Sequence, residues 1–378
     1  MEAKTEISKP AELPHSVPLF WPLSAVAAMG RAELELFQRS LRFLAEAQKV
    51  DYGLKPHFAT ANVVLLELHT LLLRAFGTVK PHVAPTLIVA PYAGHSAAIA
   101  DYHGGQSLVQ TLLAAGLGRV LVTDWKSATP AMRDYDIDNY LAELNVCIDD
   151  LGGRVNLVGL CQGGWMSAMY AARYPGRVAA LVLAGAPIDT HAGNGPLKAM
   201  IESLPPGFYE ELVALGGGLM RGRVMLRGWK NMHPEEQYLK KYVRLYQHID
   251  DPEYISKTEA FSSWYENTID LPGRWYLQVI DELFRRNRLA QGQFVGLGQQ
   301  LSLREIRCPV YLLAGEADDI TPKEQVFAAE TLVGTPQQEI GKAVAPGGHV
   351  GLFMGSESLR QFWPVIARWI LDAQQKTG

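Results

Sequence analysis

Short apolar runs alternate with helical patterns through the middle of the chain. The runs are rich in β-branched residues and comprise residues 86–90, 119–123, 155–160 and 178–184. Segments with apolar residues at helical spacing, 105–115 and 137–151, fall between them. Apolar strands separated by helices are typical of a parallel sheet with helices on both faces. The pattern therefore predicts an α/β protein.

The first part of the chain has a different pattern. Between Leu23 and Val50, apolar residues such as Leu36, Leu41 and Leu44 recur at helical spacing with charges between them. Residues 63–76 are apolar but are interrupted by charged and polar side chains, which indicates a packed helix and not a membrane span. Residues 1–80 are therefore predicted to form an N-terminal helical extension.

The alternation of strands and helices stops after residue 188. Residues 189–305 contain no clear strand and are rich in aromatic residues and amphipathic helical patterns, including 235–249 and 273–288. A strand pattern then returns at 309–314, followed by a helical pattern at 323–332. This predicts a core made of residues 81–188 and 306–378, with a helical cap or lid inserted at 189–305. A subdomain that only extends the core is the alternative, and the position of the insertion favours the lid.

Composition narrows the classes of function. The 378 residues carry a formal net charge of −4, which provides no global attraction to nucleic acid or to an anionic membrane. The three cysteines are scattered without metal-ligand spacing, which favours a reducing compartment without a disulfide framework. The first residues lack the basic start and apolar run of a signal peptide. We therefore expect a cytoplasmic protein that does not span a membrane.

The sharpest chemical signal is the segment Gly159-Leu160-Cys161-Gln162-Gly163-Gly164, which lies between a predicted strand and a helical segment. This is the G-x-C-x-G form of a nucleophile elbow, in which small residues allow a tight strand-to-helix turn. The start of the helix directs N–H groups at Cys161 and favours its thiolate form, and the N–H of Gln162 is the natural first oxyanion donor. A buried structural cysteine is the alternative, and the strand–turn–helix context favours the nucleophile.

An elbow nucleophile requires an acid and then a histidine later in the chain. The sequence GEADDI at 315–320 follows a predicted strand, so a carboxylate lies at the end where sites on such sheets form. Asp318 and Asp319 both fit, and we choose Asp318 because the pattern G-x-x-D-x-I-x-P usually puts the acid there. His349, in a glycine-rich loop before the last helical pattern, completes the order as the base.

A second element of the site follows the first predicted strand, at residues 89–96. The loop after this strand supplies the second oxyanion N–H in α/β hydrolases, so Tyr92 or Ala93 could provide it. His95 is a candidate to hydrogen-bond substrate, although a packing role for it fits the sequence equally well.

These motifs resemble a family of α/β hydrolases with a cysteine nucleophile, the intracellular polyhydroxybutyrate depolymerases and the polyhydroxyalkanoate synthases. The resemblance runs from about residue 86 to residue 370. Several stretches are closer to the depolymerases, namely VAPYAGH (89–95), VTDW (122–125), APIDT (186–190), IDLPGRWYL (269–277), GEADDI (315–320) and GGHVGLF (347–353). The elbow, GLCQGGW (159–165), resembles the synthases instead.

The resemblance implies an α/β hydrolase fold with Cys161, Asp318 and His349 as a catalytic triad, without a metal or organic cofactor. It implies a cytoplasmic enzyme that cleaves 3-hydroxyacyl ester bonds of polyester granules through a thioester intermediate. Two alternatives stay open, a synthase subunit that polymerises 3-hydroxyacyl-CoA and a thioesterase or small-ester hydrolase. Granule association and a homodimeric assembly are compatible with all three.

Overall fold

The computed structural model describes residues 31–52, 55–80, 82–232 and 235–377. Its centre is an eight-stranded sheet in the order β1-β2-β4-β3-β5-β6-β11-β12. The strands are β1 (Val63–Glu67), β2 (Leu71–Gly77), β3 (Thr86–Val89), β4 (Arg119–Trp125), β5 (Val155–Leu160), β6 (Val178–Ala184), β11 (Val310–Gly315) and β12 (Ile340–Ala345). The ladders from β4 to β12 are parallel, and β1 and β2 join one edge antiparallel.

Helices cover both faces of this sheet. They are α2 (Leu108–Ala114), α3 (Ile137–Asp150), α4 (Gln162–Arg173), α11 (Lys323–Phe327), α12 (Ala329–Leu332), α13 (Gly351–Met354) and α14 (Trp363–Thr377). Helix α4 packs on β5 and β6, and α14 packs on β6 and α2. Strands β5 and β6 have no exposed residue, as expected for parallel strands covered on both sides. The predicted α/β class is confirmed.

The expected helix at 63–76 is wrong, because this segment forms the antiparallel pair β1 and β2. In β2, Leu71, Leu73 and Ala75 are buried while the residues between them are partly exposed, which is the period of a strand. Of the polar residues that interrupt the segment, Glu67 and His69 are exposed, and the partly exposed Arg74 pairs with Asp124 of β4 at 2.7 Å. The predicted extension at 1–80 is therefore not helical throughout.

The helical prediction for the start of the chain is confirmed over α1 (Arg31–Tyr52), and its earlier part lies outside the described residues. Helix α1 packs against α9 (Pro252–Glu266) of the insertion. Polar contacts hold the two together, including a 2.6 Å ion pair between Lys49 and Glu259. The first helix therefore rests on the insertion.

The insertion is mainly helical, as predicted. It contains α5 (Pro196–Ser203), α6 (Phe208–Leu215), α7 (Gly222–Met232), α8 (Lys241–Gln247), α9 and α10 (Gly273–Gln278). Wide π-type turns at Glu236–Lys240 and Val279–Arg285 adjoin α8 and α10. Two-residue strands form two small ladders, β7 (Leu219–Met220) with β8 (Leu271–Pro272) and β9 (Val295–Gly296) with β10 (Gln299–Gln300). Among the described residues, no helix has the length and apolar character needed to cross a membrane.

Two glycines allow the turn between β5 and α4 to be tight. A Cβ on Gly163 would lie 1.9 Å from the carbonyl oxygen of Val89, at the end of β3. A Cβ on Gly159 would lie 2.4 Å from the Cα of Gly164. Both obstacles are backbone atoms, which cannot rotate away. The first turn of α4 is therefore pressed against the end of β3.

We expect Gly163→Ala to lower the free energy of unfolding by about 3 kcal/mol, because the methyl group must displace the backbone of β3. Gly176→Ala is the matched control, since a Cβ at that position would meet no atom within 4 Å. Urea unfolding followed by circular dichroism measures both. A Gly163→Ala protein as stable as the control would contradict the close packing of α4 against the end of β3.

Leu73→Ala should lower the free energy of unfolding by about 2–5 kcal/mol, because it opens a cavity under a fully buried side chain. Val64→Ala on the neighbouring strand should change it by less than about 1 kcal/mol, since that side chain is 45% exposed. Equal effects in the two variants, again from urea unfolding, would mean that β2 does not belong to the core.

Candidate active site

Cys161 occupies the bend between β5 and α4, with φ 50° and ψ −116°. A positive φ is unfavourable for a residue with a Cβ and persists only where neighbouring structure holds it. Here the Cys161 N–H donates to the Ala184 carbonyl of β6, and its carbonyl accepts from the Gly164 N–H, both at 2.9 Å. The strained bend presents a thiol that is 9% exposed.

The first turn of α4 begins directly after Cys161 and lies beside its thiol. Gln162 is the first helical residue, so its N–H lacks an acceptor within the helix. The positive end of the helix dipole also lies beside Cys161. These groups can stabilise negative charge on the sulfur or on an oxygen bound next to it.

Asp318 and His349 form a hydrogen-bonded pair on two loops at the same edge of the sheet. Nδ1 of His349 lies 2.7 Å from Oδ2 of Asp318, so the ring donates this proton to the carboxylate. The other carboxylate oxygen accepts from the backbone N–H groups of Ile320 and Thr321 at 3.0 and 2.8 Å. Asp318 therefore orients the ring, whereas Asp319 lines the adjacent cavity.

The second ring nitrogen of His349 faces Cys161. It is buried and makes no hydrogen bond of good geometry within the described part of the chain. Burial lowers the pKa of His349, but the nearby charges of Cys161 and Asp318 and the hydrogen bond to Asp318 outweigh it and raise the pKa to about 10. At neutral pH the His349 ring is therefore protonated.

A mostly apolar cavity of about 360 Å³ opens above Cys161 and His349. Its floor comes from the segments after β3, β5, β6, β11 and β12, and its roof comes from the insertion. The roof residues are Leu197, Trp229, Met232, Phe261, Trp264, Tyr265 and Phe284. Sequence reasoning did not identify these residues individually. Their only signal was the aromatic content of the insertion, because a helical pattern does not tell which neighbour a side chain meets.

The side chains of Tyr92 and Ala93 lie in different surroundings. Ala93 lines the cavity. Tyr92 is fully buried elsewhere, where its hydroxyl accepts from the Tyr140 hydroxyl at 2.8 Å and its ring packs on Trp125 and Trp275. The Tyr92 side chain therefore does not contact the cavity, because successive residues of this loop point in different directions.

His95 also lines the cavity, and it contacts the insertion. Its Nε2 lies 3.0 Å from the Tyr265 carbonyl, and its ring stacks on the Tyr265 ring with 5.4 Å between centroids. Burial lowers the pKa of His95 to about 4, although the hydrogen bond to Tyr265 opposes this. The ring is therefore neutral at neutral pH.

The cavity lacks the ligands of a metal site. Within residues 31–52, 55–80, 82–232 and 235–377, no group of three or more histidine, cysteine or acidic side chains could hold a metal ion.

The chain has the α/β hydrolase fold. It is similar to a carboxylesterase structure from the thaumarchaeon Nitrososphaera gargenis, with a TM-score of 0.51, 16% identity, and coverage of 84% of this chain and 100% of that one. At this identity the similarity concerns the fold alone. The predicted fold class is confirmed by this comparison and by the sheet order.

Two similar curated proteins carry the name poly(3-hydroxyalkanoate) polymerase subunit PhaC. The protein from Haloferax mediterranei is 28% identical over 298 residues, which are 77% of this chain and 58% of that protein. The protein from Allochromatium vinosum is 26% identical over 333 residues, which are 86% of this chain and 91% of that protein. The chain thus spans little more than half the length of the Haloferax mediterranei protein and most of the Allochromatium vinosum protein.

A protein family model matches residues 62–355, which include every strand of the main sheet, the insertion and all three residues of the candidate site. The family is described as a protein of unknown function (DUF3141). Since the match covers well over half of the sequence, the chain belongs to this family.

Proposed function

We propose that this protein is a cysteine-dependent acyltransferase of the polyhydroxyalkanoate synthase type, which takes 3-hydroxyacyl groups from coenzyme A thioesters. The observation that carries the proposal is the strained Cys161 facing a His349 ring whose other nitrogen is bonded to Asp318. The polymerase names of the relatives favour this reading over the depolymerase expected from the loop motifs. The site geometry is compatible with both.

The proposed reaction begins with a proton on His349 and a thiolate on Cys161. The thiolate attacks the thioester carbonyl, and the oxyanion accepts hydrogen bonds from the N–H groups of Gln162 and Ala93. The carbon–sulfur bond to coenzyme A then breaks, and His349 gives its proton to the departing thiolate. The acyl group remains on Cys161 as a thioester.

The second half of the reaction uses the same groups. A hydroxyl at the end of a polyester chain gives its proton to His349, and its oxygen attacks the acyl-enzyme. The new ester bond forms as the carbon–sulfur bond to Cys161 breaks. The sulfur returns to the thiolate and His349 to its protonated form, so the cycle closes without a metal or cofactor.

The insertion at 189–305 acts as a lid in this proposal. Trp264 Nε1 donates to the Ser96 carbonyl at 2.8 Å, and the Ile269 N–H donates to the Gly94 carbonyl at 2.9 Å. These bonds hold the apolar roof over a thiol that is 9% exposed. An acyl-enzyme under such a roof is shielded from water, which favours transfer to a hydroxyl over hydrolysis.

Ester hydrolysis is the second candidate, favoured by the depolymerase-like loop that contains Gly94 and His95. One experiment separates the two functions. The purified protein is incubated with 3-hydroxybutyryl-CoA and, separately, with amorphous polyhydroxybutyrate. We expect free coenzyme A and growth of insoluble polymer from the first. Soluble 3-hydroxybutyrate from the second, without polymer from the first, would contradict the synthase proposal.

Cys161→Ala should abolish release of coenzyme A because it removes the sulfur that forms the acyl-enzyme. Cys161→Ser should retain only weak activity, since the site is built for a thiolate. The control is Cys308→Ala, at a half-buried cysteine outside the cavity lining. Coenzyme A release is followed with a thiol reagent, and circular dichroism verifies the fold. Normal turnover by Cys161→Ala would exclude it as the nucleophile.

Asp318→Asn should lower kcat/KM by about 100-fold and shift its alkaline limb to lower pH. The protonated form of His349, which serves the leaving thiolate, is lost as the pH rises through its pKa of about 10. Removing the Asp318 charge lowers that pKa, so the protonated form is lost earlier. A pH–rate profile from pH 6 to 11 measures the shift, and an unchanged alkaline limb would show that Asp318 does not act on His349.

A further inference from the structure

His95 has one ring nitrogen bound to the insertion and one left for a ligand. Because a carbonyl oxygen only accepts, the 3.0 Å contact with the Tyr265 carbonyl places the proton on Nε2. Nδ1 of the neutral ring is then an acceptor with a free lone pair. Among the described residues, no hydrogen bond to Nδ1 is found, and this atom is not one of the buried unpaired polar atoms. Since the ring lines the cavity, Nδ1 is open to a bound molecule.

The surroundings of His95 hold this arrangement in place. The ring stacks on Tyr265 and packs against Trp264, with centroids 5.4 and 4.8 Å away. Its lowered pKa, about 4, keeps it neutral, so Nδ1 remains an acceptor at physiological pH. Gln162 also lines the cavity, and its side-chain oxygen Oε1 is buried without a hydrogen-bond partner among the described residues.

We propose that Nδ1 of His95 accepts a hydrogen bond from the 3-hydroxyl of the acyl group on Cys161 and thereby selects 3-hydroxyacyl over unsubstituted acyl groups. This inference rests on the proposed function. A hydroxyl carried into an apolar cavity needs a partner to replace water, and Nδ1 supplies one. Ala93, the proposed donor to the acyl carbonyl, lies two residues earlier on the same loop, so one loop holds both oxygens of the acyl group.

In this apolar cavity, the 3-hydroxyl of the acyl group is the feature that distinguishes the two substrates. Apolar walls bind the hydrocarbon of butyryl and 3-hydroxybutyryl groups almost equally. A site that hydrogen-bonds a substrate hydroxyl rejects the analogue without it, because the polar group of the site stays unpaired. We expect kcat/KM to be at least about tenfold higher for 3-hydroxybutyryl-CoA than for butyryl-CoA.

Two variants separate the free nitrogen from the bond to the insertion. In His95→Gln, the amide nitrogen replaces Nε2 and keeps the bond to Tyr265, but the Nδ1 acceptor is lost. In His95→Asn, the amide oxygen replaces Nδ1, but the bond to Tyr265 is lost. We expect the substrate ratio to fall to about 1 in His95→Gln and to stay within about threefold of wild type in His95→Asn. The readout is the ratio of kcat/KM values from coenzyme A release, which a general loss of folding does not change.

The inference is overturned if wild type does not prefer the hydroxylated thioester, if His95→Gln keeps the wild-type ratio, or if both variants lose it equally. The same acyl groups are also compared as p-nitrophenyl esters. Selectivity on these esters with no reaction of the thioesters would overturn the proposed function alone. No reaction with any of the four substrates would overturn both proposals.

Discussion

The bend at Cys161 is the constraint on which the rest of the site depends. A residue with a Cβ is held at φ 50°, and the turn closes only because Gly159 and Gly163 have no side chains. The hydrogen bond from Cys161 to Ala184 attaches the bend to the neighbouring strand. The cost of the strained backbone is therefore offset by packing between β3, β5, β6 and α4. In return, the sulfur lies at the sheet edge, beside free N–H groups and opposite His349.

Burial and charge oppose each other at His349, and charge prevails. An isolated buried imidazole loses its proton easily, as His95 shows with a pKa lowered to about 4. His349 is equally enclosed, yet the charges of Cys161 and Asp318 raise its pKa to about 10. Two backbone N–H groups and the His349 ring donate hydrogen bonds to the two oxygens of the Asp318 carboxylate. Two histidines in one cavity thus hold different protonation states, which suits one to proton transfer and the other to accepting a hydrogen bond.

The loop after β3 connects the floor of the cavity with its roof. Gly94, His95 and Ser96 each bond to the segment at the end of α9, through Ile269, Tyr265 and Trp264. The same loop carries Ala93, which faces the cavity. Helix α1 in turn packs on α9. The position of the insertion and the position of the loop that carries Ala93 are therefore linked through these hydrogen bonds.

The sequence alone determined those elements that depend on residues close together in the chain. The apolar strands β5 and β6, the elbow around Cys161 and the helical insertion follow from local pattern, since burial on both faces and tight turns each require particular residue types. The sequence-based prediction was wrong at residues 63–76, because scattered polar residues in an apolar stretch are compatible with a helix and with a strand. The pairing of β2 with β4 fixes this part of the chain as a strand. The sequence favoured Asp318 over Asp319 from a motif, but only the tertiary structure shows that Asp318 contacts His349. It also turns the Tyr92 side chain away from the cavity and places His95 between floor and roof. These outcomes depend on contacts between residues far apart in the chain, and no local pattern encodes the direction in which a loop side chain points.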